Sequence, residues 1–149
     1  MDQYRKTESA PMILSDRQYA FVMRRRIGHL ATADAAAKPQ VMPICFAIHE
    51  DTLYTALDEK PKRARETKRL KNISENPHVS FVADHYDEEW SRLGWVMLRG
   101  RANILEEGEE FERGATLLRK RYVHYASMSL RPIIAITILQ VRSWGNLDG

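Results

Sequence analysis

Residues 28–56 read GHLATADAAAKPQVMPICFAIHEDTLYTA, and the spacing of their turns sets the architecture. HLATA at 29–33 predicts a first strand and the alanine-rich 34–39 a turn. QVMPICFAI at 40–48 is strongly apolar, 49–51 is a polar turn, and 52–56 is a short further strand. Three strands separated by tight turns predict an antiparallel meander. Strand alternation places Met42, Ile44 and Phe46 on one face and Val41, Pro43 and Cys45 on the other, so at least one set is core. Proline has no N–H to donate, so Pro43 marks an edge, a bulge or a point where a ligand meets the backbone.

Working outward, residues 1–14 read as a flexible arm and 15–149 as one domain. Ser15 with Gln18 forms a capping box, and Tyr19, Val22 and Met23 continue at helical spacing until Gly28 closes the helix. Beyond the meander, Asn76-Pro77 stops a basic helix before a strand at 79–83. WVMLRGRANIL at 95–105 predicts a long strand with Gly100 at a bulge or close backbone approach. Phe111, Ala115, Leu118 and Tyr122 form one stripe of a helix over 108–122, and IIAITILQV at 133–141 is a buried final strand ending near Trp144. The sum is a mainly β (α+β) chain, a six-stranded antiparallel barrel with flanking helices, because closure removes the edges such apolar strands would expose.

The 149 residues suit a single domain, which at this size buries about two thirds of the surface of its unfolded chain. One cysteine excludes an internal disulfide framework and fits a reducing compartment, so the expected location is cytoplasmic. The polar MDQYRKTESAP start does not read as a signal peptide, and no membrane association is expected. A net charge of +3 is too mild to argue for nucleic acid; the clustering of charge says more.

That cluster is DEKPKRARETKRLKNISENP at 58–77, with Lys60, Lys62, Arg63, Arg65, Lys68, Arg69 and Lys71 set against four carboxylates. Lys62, Arg65, Arg69 and Asn72 fall within an arc of about 80° of a helix. Arginine offers a planar fork and lysine a mobile point charge, so this face suits a phosphate-bearing tail. A solvated helix covering a sheet edge has the same composition, and the charge run alone leaves both readings open. Cys45 reads as a small core thiol without chemistry. DHYDEEW at 84–90 sets His85 among carboxylates, but the histidine spacing is poor for a metal. Tyr86, Trp90 and Trp95 wall a pocket or support an interface. G-x-S-x-G, H-E-x-x-H, P-loop and G-x-G-x-x-G patterns do not occur, so hydrolase and nucleoside-triphosphatase readings have no support.

GHLATADA at 28–35, QVMPICFA at 40–47, LYTALDEKPKR at 53–63, RLKNISENPHVSFVADHY at 69–86 and EEWSRLGWVMLRGRA at 88–102 together resemble the flavin-binding split β-barrels of the pyridoxamine 5′-phosphate oxidase type. DEKPKR followed by DHYDEEW is similar to the branch that uses coenzyme F420. The resemblance spans nearly the whole domain. It implies a homodimer with FMN or coenzyme F420 in a groove between subunits, and hydride transfer to or from a small-molecule substrate. It sets Met42, Pro43 and Ile44 beside the ring and Ala31, Thr32, Tyr54 and Thr55 near the cofactor's side chain. Lys62 and Arg69 would hold the phosphate, helped by Lys60 or Lys68, and Trp144 would cover the cofactor of the neighbouring subunit. Tyr86, His85 and Tyr125 are alternative proton donors. Gly94 and Met97 depart from the branch's usual aromatic and arginine, which leaves the substrate open. The rival is a non-catalytic barrel that carries a flavin or binds single-stranded nucleic acid. The aromatics lie apart from the basic run, which disfavours nucleic acid.

Overall fold

The computed structural model describes residues 12–57 and 64–149, with side chains from 68 onward in the second stretch. Most of the expected arm, together with Lys60 and Lys62, lies outside the described residues. Helix α1, Asp16–Arg24, starts on the expected capping box: Gln18 N–H donates to Ser15 Oγ at 3.1 Å, and Ser15 N–H donates to Gln18 Oε1 at 2.9 Å. It buries Phe21 and Val22 completely.

The strands are β1 Gly28–Ala33, β2 Pro39–Ile44, β3 Ala47–His49, β4 Thr52–Ala56, β5 His78–His85, β6 Gly94–Leu105 and β7 Ile133–Gly145. Helix α2, Ala64–Glu75, precedes β5, and α3, Glu109–Arg121, precedes β7. All neighbours pair antiparallel in the order β2-β1-β5-β6-β7-β4-β3. The count is seven because the single strand expected over 40–48 bends at Cys45 and Phe46. Its first half lies on one edge of the sheet, against β1, and its second half on the other, against β4. One short bend thus joins the two edges and curls the sheet into a split barrel.

Tyr122, at the end of α3, fastens that bend. Phe46 N–H donates to its hydroxyl at 2.9 Å, and Arg121 Nε donates at 3.0 Å. The single O–H proton is shared between the carbonyls of Phe46 at 2.9 Å and Arg26 at 3.0 Å. The Arg121 guanidinium lies 4.9 Å from the Phe46 ring centroid. Removal of the hydroxyl leaves a buried amide unpaired, so Tyr122→Phe is expected to cost about 1–2 kcal/mol in urea unfolding.

Alternation along β5 and β6 sends Val79, Phe81, Ala83, Val96, Leu98 and Ala102 into the barrel. A second cluster, with Tyr54, Phe111, Ala115, Leu118 and Ile133, lies between the sheet and α3. The opposite faces of β5 and β6 remain half-buried or exposed. The β6–β7 register shifts between Arg99 and Gly100, so the expected bulge is present. No helix among the described residues is long and apolar enough to cross a membrane.

Candidate functional site

The ladder between β3 and β4 ends at Ala47 and Tyr54, and beyond it β2 and β4 diverge around a cleft of about 160 Å³. Pro43, Ile44 and Cys45 form one wall and Thr55, Ala56 and Leu57 the other, with Arg69 of α2 and Tyr125 completing it. Pro43 sits on the edge strand β2, where its missing N–H breaks no ladder. Arg69 is 7% exposed, so its charge acts in an environment largely shielded from water. A guanidinium so placed suits bidentate recognition of a phosphate or carboxylate. Thr55 Oγ1 donates to the Cys45 carbonyl at 2.7 Å, which ties the two walls together where the ladder stops. Thr55 Oγ1 can still accept a hydrogen bond, and Arg69 brings a cation to the lining of the cleft.

The structure therefore brings Pro43, Ile44, Thr55 and Arg69 together from three separate segments. The other sequence-predicted residues lie elsewhere. Tyr54, 1% exposed, points toward α3 and donates to Glu110 Oε2 at 3.0 Å. Its phenol is pushed above its ordinary pKa chiefly by burial, while Arg113 acts in the opposite sense. Met42 is paired in register with the core residue Leu30 and is half-buried. Thr32 is buried and accepts a hydrogen bond from Asn72 Nδ2 at 3.1 Å, which anchors α2 to β1. Ala31 and Thr32 line a second, larger groove on the outer sheet face. Trp144 is 55% exposed opposite Trp95, near the end of β7; the stretch of β7 beside the cleft is Ile133 and Ile134, paired with Ala56 and Thr55, so Trp144 lies ten residues, about 33 Å, further along the strand. Within one protomer it therefore stands far from the cleft.

Lys68 Nζ lies 3.2 Å from Asp34 Oδ2, and Asp34 Oδ1 accepts from the backbone N–H groups of Ala36 and Lys38 at 2.9 Å each. Donation by Lys38 chiefly holds the Asp34 carboxyl below its usual pKa, with Lys68 and Ala36 adding to the effect. A depressed carboxyl stabilises the fold above the ordinary carboxylate range, and the contribution is lost as pH falls through the lowered value. The gap in urea midpoint between the wild type and Asp34→Asn is therefore expected to narrow from neutral pH to below the ordinary carboxylate pKa of about 3.9.

Four cleft residues carried no cofactor role in the sequence reading: Ala56 and Leu57, which follow Thr55 on the same wall, and Cys45 and Tyr125. Cys45, read from the sequence as a small core thiol, is half-buried at the bend and lines the cleft. Tyr125 arrives from the short 3-10 turn Val123–Tyr125 that follows α3. Its position depends on the path of the chain after α3, for which the local sequence carries no signal.

The curled seven-stranded sheet, split beside a buried arginine, defines a split β-barrel of the pyridoxamine 5′-phosphate oxidase type. A family model described as pyridoxamine 5′-phosphate oxidase matches residues 14–145, and the chain belongs to that family. Among solved structures, the heme storage protein HutZ of Vibrio cholerae is 15% identical, with a TM-score of 0.68 over 87% of this chain and 94% of that one. A FAD-binding protein of Mesorhizobium loti is 23% identical, with a TM-score of 0.63 over 87% and 94% of the two chains. A conserved hypothetical protein of Mycobacterium tuberculosis is 22% identical, with a TM-score of 0.66 over 95% and 89%. At such identities these likenesses establish the fold alone. No curated protein sequence matches the chain significantly.

Proposed function

We propose that this protein is a cytoplasmic, homodimeric oxidoreductase that holds FMN or coenzyme F420 and passes hydride to or from a small organic substrate. The observation that carries the reading is the cleft itself, in which a 7% exposed Arg69 shares one wall-to-wall space with Pro43, Ile44 and Thr55. Arg69 would bind the phosphate of the cofactor's side chain. Lys62 remains proposed as its partner on the phosphate and Lys60 as a helper, and Lys68 would have to leave Asp34 to join them. The exposed edge of β2 at Val41 and Pro43, with Met42 and Ile44, would carry the flat ring.

When bound, the ring supplies the hydride chemistry; the residues described here bind, orient and exclude water. Trp95 at 36% exposed and Trp144 at 55% exposed face each other on the outer side of β6 and β7, an apolar surface suited to a second copy of the chain. In such a dimer Trp144 would serve the partner's cleft, since within one subunit it stands at the far end of β7 from the residues that pair with Thr55 and Ala56. A fluorescence titration with FMN and coenzyme F420, paired with light scattering, tests the proposal. The expected outcome is a dimer that binds one of the two at micromolar concentration or below. A monomer that binds neither would end it.

A further inference from the structure

The slip in register between Arg99 and Gly100 does more than bend the sheet. Arg99 pairs with Gln140 and Gly100 with Ile138, so Leu139 is the extra residue of β7, and its side chain is 60% exposed. A bulge of this kind interrupts the ladder and re-aims side chains. Here it opens a groove of about 360 Å³ on the outer face of the sheet, larger than the cleft at the seam.

The register places Ala31, Ser80, Arg99 and Gln140 in one row across four adjacent strands. All four line the groove, so a guanidinium is flanked by a hydroxyl on one side and a carboxamide on the other. Both flanking groups can donate to an oxygen held by the arginine. Arg99 Nη1 meets Gln140 Oε1 only at 3.5 Å, the outer limit for a hydrogen bond. Asp and Glu are absent from the groove's described lining, and the next outward side chain of β6 is another arginine, Arg101. Ala31 and Ala33 leave room, while Pro39 and Leu139 offer apolar walls.

The geometry points to a subsite for a small organic acid, whose carboxylate Arg99 binds between Ser80 and Gln140 while its apolar body lies against Pro39 and Leu139. An arginine fork matches a carboxylate in two parallel hydrogen bonds. The groove and the cleft share strand β2, at Pro39 and Pro43 respectively, about 13 Å apart along the chain. The use of the subsite, to present an acidic substrate to the cofactor, rests on the oxidoreductase reading; its ligand chemistry does not.

The test uses the full chain, titrated by calorimetry with benzoate and, separately, with neutral benzyl alcohol at fixed ionic strength. Benzoate is expected to bind at least about tenfold more tightly, and Arg99→Gln to abolish that preference. FMN and coenzyme F420 titrations of the same variant are expected to match the wild type, because Arg69 and the seam are untouched. Equal binding of acid and alcohol, or benzoate binding unchanged in Arg99→Gln, would overturn the assignment. Tenfold weaker cofactor binding in Arg99→Gln would overturn it too, since the groove would then belong to the cofactor. If neither cofactor binds the wild type while benzoate still depends on Arg99, the subsite stands and the oxidoreductase reading falls.

Discussion

Replacing Arg69 by alanine is expected to weaken cofactor binding by about 10- to 100-fold, the equivalent of a charge-assisted hydrogen bond worth about 1.5–3 kcal/mol. Its burial is the reason for so large an effect. An exposed cation shares its phosphate with water and salt, whereas a guanidinium shielded in a cleft keeps most of its attraction. Arg69→Lys separates charge from geometry: it retains the charge and loses the planar fork, so an intermediate affinity is expected. Thermal unfolding of each variant separates a binding defect from a folding defect. A well-folded Arg69→Ala protein with wild-type affinity would remove this residue from the site.

Gly100→Val is expected to destabilise the protein by about 3 kcal/mol, at the upper end for overpacking. A Cβ at this position would lie 2.3 Å from the Thr137 carbonyl oxygen and 2.8 Å from Ile136 Cγ2. The first neighbour is backbone of the paired strand and cannot rotate away, so β6 and β7 must separate to admit a side chain. These two strands form the longest ladder in the sheet, from Gly94 paired with Gly145 to Leu105 paired with Ile133. Urea unfolding followed by tryptophan fluorescence reads the loss through Trp95 and Trp144, which face each other on those strands. A variant of wild-type midpoint would show that the bulge yields at no cost.

The residues that were legible in the sequence are those whose signal is local. The Ser15–Gln18 capping box, the stripe of α3 and the glycine at the bulge each depend on neighbours a few positions away, and all three are present. The bend at Cys45 and Phe46 was hidden because 41–48 is uniformly apolar. Pro43 marks an edge or a bulge but does not say that the strand changes partners, and the deciding contact, Tyr122, lies 76 positions along the chain. The same limit applies to Tyr54 and Thr55. Alternation assigns them to opposite faces, but which face meets α3 and which meets the cleft depends on the packing of α3 against β4.

By itself, then, the sequence determined that this is a mainly β chain with a basic helix interrupting its strands, because periodicity and turn chemistry act over a few residues. Only the tertiary structure decided which cations face the cleft. Arg69 turns inward to the seam while its neighbour Lys68 is held by Asp34 on another loop, since side chains adjacent on a helix point about 100° apart and their partners come from distant segments.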